Sequence, residues 1–212
     1  MNVLIESHYF PSIHYFASLA KANSLYIESK ETFQKQSFRN RCEIYNGQKK
    51  ISLVVPVNHR TRHFSIEQLE IDYSERWQNQ HWRTIQAAYG KAPFFDYYAP
   101  EIKTLIYSNE KFLFNLNQKI LQQFLIWFPN IQLKTEVTTS YQTSVSDNFI
   151  DLRSVIHPKK KNRSIEWIRY NQHFNTDFVP NLSIIDILMC EGPAASLIID
   201  TQSSLIKCEP TR

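Results

Sequence analysis

Residues 3–27 read VLIESHYFPSIHYFASLAKANSLYI, and the order of apolar positions within them decides the fold class. Residues 3–5 form a short apolar run. Pro11 stands where a helix can begin, because its missing N–H costs nothing in a first turn. Ile13, Phe16, Leu19 and Ala20 then recur at helical spacing, and beyond Asn23 and Ser24 an extended apolar run resumes at 25–27. Two short strands joined by a helix of that length make a βαβ unit, hence a parallel pair.

Outward from this unit, residues 38–45 alternate, Asn46-Gly47 supplies a turn, and residues 51–55 are apolar and β-branched until Pro56 ends the pairing. Ile66, Leu69 and Ile71 predict a further short extended piece. From Glu75 the period turns helical, with Trp77, His81, Ile85, Ala88 and Tyr89 on or near one face, and Ala92-Pro93 stops it. Helices are expected over 103–107 and 111–128, the second ended by Pro129. Ile131, Leu133, Thr135 and Val137 alternate as a strand. Residues 152–156 form a short apolar element, and 183–189 a helix with Ser183 and Asp186 spaced as a capping pair and Gly192 closing it. The expected architecture is α/β: a short, mostly parallel sheet with flanking helices, an antiparallel hairpin at 38–56 and a helical C-terminal half. One domain is expected over 1–212, with the α/β part at 1–140, a mainly helical or irregular part at 141–202 and a frayed tail at 203–212.

Composition narrows the function classes. With 14 Phe, 11 Tyr and 4 Trp, rings supply much of the core in a chain whose hydrophobic fraction is 42%. Only 3 Gly occur in 212 residues, which excludes a glycine-rich phosphate loop or a dinucleotide fingerprint. Cys42, Cys190 and Cys208 are odd in number and widely spaced, so a reduced, cytoplasmic setting is expected. The amino-terminal residues show no signal-peptide pattern, and no apolar stretch is long enough to span a membrane. The net charge of +4 is mildly basic. Residues 158–163, PKKKNR, read as a solvated loop in preference to a nucleic-acid or membrane patch, since no rings interleave the cations.

Several residues are candidates for chemistry. His8 follows the first strand, the place where parallel sheets hold ligands, and precedes a helix start whose N–H groups can bind an anion. It reads as an acid/base or, more simply, as a polar residue beside core rings; His14, one turn deeper, is a weaker candidate. Arg39 and Arg41 are expected on one strand face, where two guanidiniums can grip a phosphate or carboxylate with Lys35 adding a charge. The plainer reading is solvated charge protecting a hairpin edge. His59 and His63 have metal-like spacing, but they sit in a loop beside Arg60 and Arg62 with no carboxylate to complete a set, and no metal site is expected. His81 reads as a core histidine or an acid/base, Ser183 and Asp186 as a helix cap, and Cys190 as a buried thiol. A Ser183–His81–Asp186 triad is rejected for want of a nucleophile elbow.

Three groups of residues carry a resemblance. They are His8-Tyr9-Phe10-Pro11 with Tyr15-Phe16; the stretch FQKQSFRNR at 33–41 leading through Ile44, Asn46-Gly47 and LVVPV at 53–57; and Trp77, His81-Trp82, Tyr89, Ala92-Pro93-Phe94-Phe95 and LSIID at 182–186 before Gly192. In order and spacing this chain resembles the WbqC-like family of bacterial proteins, most clearly between His8 and Val57. The resemblance implies a setting in surface-polysaccharide (O-antigen) biosynthesis and a transferase, moving an acyl, glycyl or nucleotide-type group on a small anionic, phosphate- or carboxylate-bearing substrate. Taken with the position of His8 after the first strand, it gives the expected site: catalytic roles for His8 and His81, and substrate contacts from Tyr9, Phe10, Lys35, Asn40, Arg41, Tyr89, Ser183 and Asp186. Cofactor and oligomeric state stay unknown. The chain departs from the family pattern at Glu6 and Ser7, where Gln-Pro is usual, at His14, where glycine is common, and at Ser29-Lys30-Glu31, where an acidic pair is frequent. Those departures keep open an alternative: a non-catalytic ligand-binding or scaffold protein with a diverged pocket.

Overall fold

The computed structural model describes residues 1–146, 148–160, 165–174 and 177–206. The opening segment folds as β1 (Asn2–Glu6), α1 (Ile13–Leu19) and β2 (Ser24–Glu28). β1 and β2 are parallel, with Val3 opposite Leu25 and Ile5 opposite Ile27. Alternation sends these four fully buried residues to one face, where they join Phe16 and Leu19 in the main core. Burying side chains of this kind stabilises the fold by about 1.5–3 kcal/mol each.

Two strands extend the sheet. β5 (Lys134–Val137) pairs with β2 and β6 (Phe149–Asp151) with β1, giving the all-parallel order β5-β2-β1-β6. Leu4, Tyr26 and Phe149 line a cavity of about 480 Å³ together with the loop beyond β5. The strand order reverses at β1: the chain builds outward through β2 and β5, then returns to β6 on the other side. In open parallel sheets, ligands usually sit beyond the carboxyl ends of strands at such a reversal.

Helix α1 starts two residues later than Pro11 suggested. Ser12 is the cap, its Oγ accepting the Tyr15 N–H at 3.4 Å. The Ile13 N–H donates to the Leu182 carbonyl and the His14 N–H to Asn181 Oδ1, both at 3.0 Å. In return the Ile184 N–H donates to the Pro11 carbonyl at 2.8 Å and the Ser183 hydroxyl to the Phe10 carbonyl at 3.0 Å. The start of α1 is thus stitched to the start of α5 (Ile184–Glu191). The expected anion site at the first turn is not there, because protein acceptors already take those donors.

The hairpin pairs β3 (Arg41–Tyr45) with β4 (Lys50–Val54). Its turn is built as read: Gly47 sits at φ +87°, and Asn46 Oδ1 accepts the N–H groups of Gln48 and Lys49 at 3.1 and 2.9 Å. Residues 38–40 lie outside the strand, so Arg39 and Arg41 do not share a strand face. Residues 66–68 form a 3₁₀ turn where an extended piece was expected, and α2 (Trp77–Tyr89) follows. Helix α3 (Phe95–Ile106) begins well before the expected 103, carrying Pro100 inside it. Its buried stripe of Phe95, Tyr98, Ala99, Ile102 and Ile106 outweighs the hydrogen bond that proline removes. α4 (Leu113–Trp127) lies within the expected 111–128. Residues 149–151 supply a strand and 153–155 a turn where an apolar element at 152–156 was read, because Leu152 continues the β1 pairing through its N–H to the Leu4 carbonyl at 2.8 Å. Beyond a 3₁₀ turn at 192–194, α6 (Ala195–Ser203) reaches the start of the expected frayed tail. Residues 161–163 of the basic run and Cys208 lie outside the described residues. Among the described residues no helix is long and apolar enough to cross a membrane.

Candidate functional site

Two charged places adjoin the loop between β2 and β3. The first fills the crevice at the strand reversal. Glu6, at the carboxyl end of β1, receives the Ser154 N–H on Oε2 at 2.9 Å, with His8 Nε2 3.3 Å and Arg39 Nη1 3.5 Å from its Oε1. The Arg39 side chain is fully buried and grips Glu31 bidentately, Nε and Nη2 each donating at 2.6 Å. Burial raises the Glu6 pKa, but the His8 hydrogen bond and the Arg39 charge outweigh it and leave the carboxyl at about 2. Burial lowers the His8 pKa against the pull of Glu6, so its imidazole is neutral at neutral pH. Rings of Tyr15 and Phe38 close over His8. A ligand crevice in other parallel sheets is here occupied by the protein's own arginine.

The second place is a cavity of about 420 Å³ lined by both loop and hairpin. Its floor runs from Val54, the last residue of β4, to Val57, and Phe33, Lys35, Asn40 and Arg41 also line it. Asn40 clamps the floor: its Nδ2 donates to the Val55 carbonyl and its own carbonyl accepts the Val55 N–H, both at 2.8 Å. Its buried Oδ1 has no partner, nor has Arg41 Nε. A further part of the lining is brought in by a fold-back in which the Asp72 N–H donates to the Pro56 carbonyl at 3.0 Å. That contact sets Asp72, Ser74 and Glu75 beside His59 and Arg62. Among the described residues, Lys35, Arg41 and Arg62 make no ion pair.

The structure therefore brings Lys35, Asn40 and Arg41 together and places the other candidates elsewhere. His81 Nε2 lies 3.1 Å from the Val54 carbonyl, an acceptor only, so Nε2 donates and Nδ1 accepts the Tyr9 hydroxyl at 2.9 Å. Burial holds its pKa down at about 4, and both ring nitrogens are committed behind the cavity floor. Tyr9 and Phe10 are fully buried core rings and line neither cavity. Tyr89 donates to Asp186 Oδ1 at 2.9 Å, while Tyr170 and Gln172 donate to Oδ2. Ser183 caps α5, accepting the Ile185 N–H. These residues anchor the segment before α5 instead of facing the Lys35–Arg41 cavity.

A family model matches residues 6–162 and 154–198, spanning the Glu6 cluster, the cavity and the Ser183–Asp186 corner. The chain belongs to the WbqC-like protein family. A curated relative, the uncharacterized protein Rv1507c of Mycobacterium tuberculosis (strain ATCC 25618 / H37Rv), is 27% identical over 151 residues. That alignment covers 68% of this WbqC-like chain and 62% of Rv1507c, so the chain spans less than two thirds of its relative's length. No solved structure matches. Reading the sequence missed His59, Arg62 and Asp72 as cavity residues; the signal present was the density of basic side chains in NHRTRH directly after Val57, weighed there only as a metal site.

Proposed function

We propose that this WbqC-like protein binds a small phosphate- or carboxylate-bearing substrate in the cavity between the 33–41 loop and the end of β4. The observation that carries this reading is three permanent cations, Lys35, Arg41 and Arg62, on the walls of one cavity without a carboxylate partner among the described residues. Unpaired guanidiniums beside an apolar floor are suited to an anion with a body. The reaction is a transfer of an acyl, glycyl or nucleotide-type group in surface-polysaccharide biosynthesis, as the family resemblance implies. In that reaction the imidazole meeting the substrate is that of His59 on the cavity wall, since His8 and His81 are turned to internal partners. Titration calorimetry with inorganic phosphate and short phosphate esters tests the binding. The Lys35→Ala/Arg41→Ala double variant is expected to abolish the heat of binding, and unchanged affinity would overturn the reading.

A second reading is ligand binding without turnover. It is favoured by the burial of both expected catalytic histidines away from the cavity. Incubation with a panel of nucleotide sugars and acyl donors separates the two: substrate consumption that is lost in His59→Asn supports transfer, whereas binding without consumption supports the second reading.

A further inference from the structure

The same cavity carries opposite charges that do not meet. Asp72 and Glu75 line it together with Lys35, Arg41 and Arg62, yet among the described residues no ion pair joins the two sets. In a cavity of about 420 Å³, side chains as long as lysine and arginine would be expected to close on a carboxylate if nothing held the walls apart. What holds them is backbone. The Asn40–Val55 clamp fixes one part of the lining, and the hydrogen bond from the Asp72 N–H to the Pro56 carbonyl fixes another.

Asp72 is ionised at neutral pH. The Ser74 backbone N–H, 2.9 Å from its Oδ1, and the Ser74 side chain hold its carboxyl below the usual range, with His59 adding to the effect. Asn40 supplies an independent observation. Its Oδ1, on a residue 5% exposed, is an acceptor with no donor, next in sequence to an arginine Nε–H with no acceptor. A bare anion would satisfy the cations and leave the Asn40 oxygen without a donor and the Asp72 and Glu75 carboxylates without an ion-pair partner. Filling all of them takes an occupant with an anionic end and a donor-bearing end.

Building on the anion-site reading, we propose that the ligand is dipolar: a phosphate or carboxylate held by Lys35, Arg41 and Arg62, on a body whose ammonium or hydroxyl groups are held by Asp72, Glu75 and Asn40. Its hydrocarbon portion lies on the floor of Val54, Pro56 and Val57.

The test is calorimetry of the full chain with four probes: inorganic phosphate, propyl phosphate, phosphoethanolamine and glycerol 3-phosphate. The expected result is that phosphoethanolamine, glycerol 3-phosphate or both bind roughly tenfold more tightly than propyl phosphate. Asp72→Asn should erase most of an ammonium preference and less of a hydroxyl preference, which separates the two donor types. Glu75→Gln, at an exposed position, serves the same purpose if the first variant folds poorly. Equal affinities for propyl phosphate and both donor-bearing esters would overturn the dipolar ligand while leaving the anion site standing. Failure of all four probes to bind would overturn the anion site itself.

Discussion

Arg39 and Arg41 stand two residues apart and have opposite fates. Arg39 has no exposed surface, grips one buried carboxylate bidentately and lies 3.5 Å from a second. Arg41 lines a cavity and pairs with no carboxylate among the described residues. The same side chain is structural in one place and available in the other, and the difference is set by neighbours. Buried charge needs partners within reach, whereas a half-buried guanidinium on a cavity can wait for a ligand.

The largest expected effect breaks this contrast at Arg39. Arg39→Met leaves Glu6 and Glu31 buried without their cation and is expected to cost about 3–5 kcal/mol in urea unfolding. Adding Glu6→Gln and Glu31→Gln should recover a good part of that loss. Arg41→Met should change stability by no more than about 0.5 kcal/mol, and equal losses at the two positions would erase the distinction.

Acid comes next. The folded-state pKa of His81 lies at about 4, below the ordinary 6.5, so the unfolded chain takes up that proton first as pH falls. Its contribution is complete above pH 6.5 and is lost progressively down to about pH 4, a swing of roughly 3 kcal/mol. Glu6, lowered from 4.5 to about 2, continues the loss from pH 4.5 downward. His81→Gln should reduce the slope of stability between pH 6.5 and 4, where the lowered His8 and His14 still contribute, and leave the lower limb intact. A curve unchanged in that variant would remove His81 from the explanation.

The smallest expected effect belongs to Lys35, whose side chain is exposed and acts as a point charge. Lys35→Ala should leave the unfolding midpoint unmoved and weaken phosphate binding only a few-fold, as is typical of a screened single charge. A loss as large as that of Arg41→Ala would make Lys35 an equal anchor.

What could be read in the sequence follows from how local each signal was. The βαβ unit was legible because period and turn residues lie within one short stretch. Lys35, Asn40 and Arg41 were legible as a cluster because they are neighbours in the chain. The fate of Arg39 was not, since its partners are Glu31, eight residues back in the same loop, and Glu6 at the end of β1. Likewise the further part of the cavity lining depends on the Asp72–Pro56 fold-back, which no local pattern announces. Helix α3 was hidden by Pro100 and the ring-rich run before it, although its buried stripe was present in the sequence.

The stitch between the first and last parts of the chain has a consequence in time. The Ile13 N–H finds its acceptor on Leu182, and the Pro11 carbonyl finds its donor on Ile184. During synthesis at ~5–20 residues per second, the amino-terminal helix waits on the order of ten seconds or more for those partners to be made. Until then the Ile13 N–H and the Pro11 carbonyl have only water to bond.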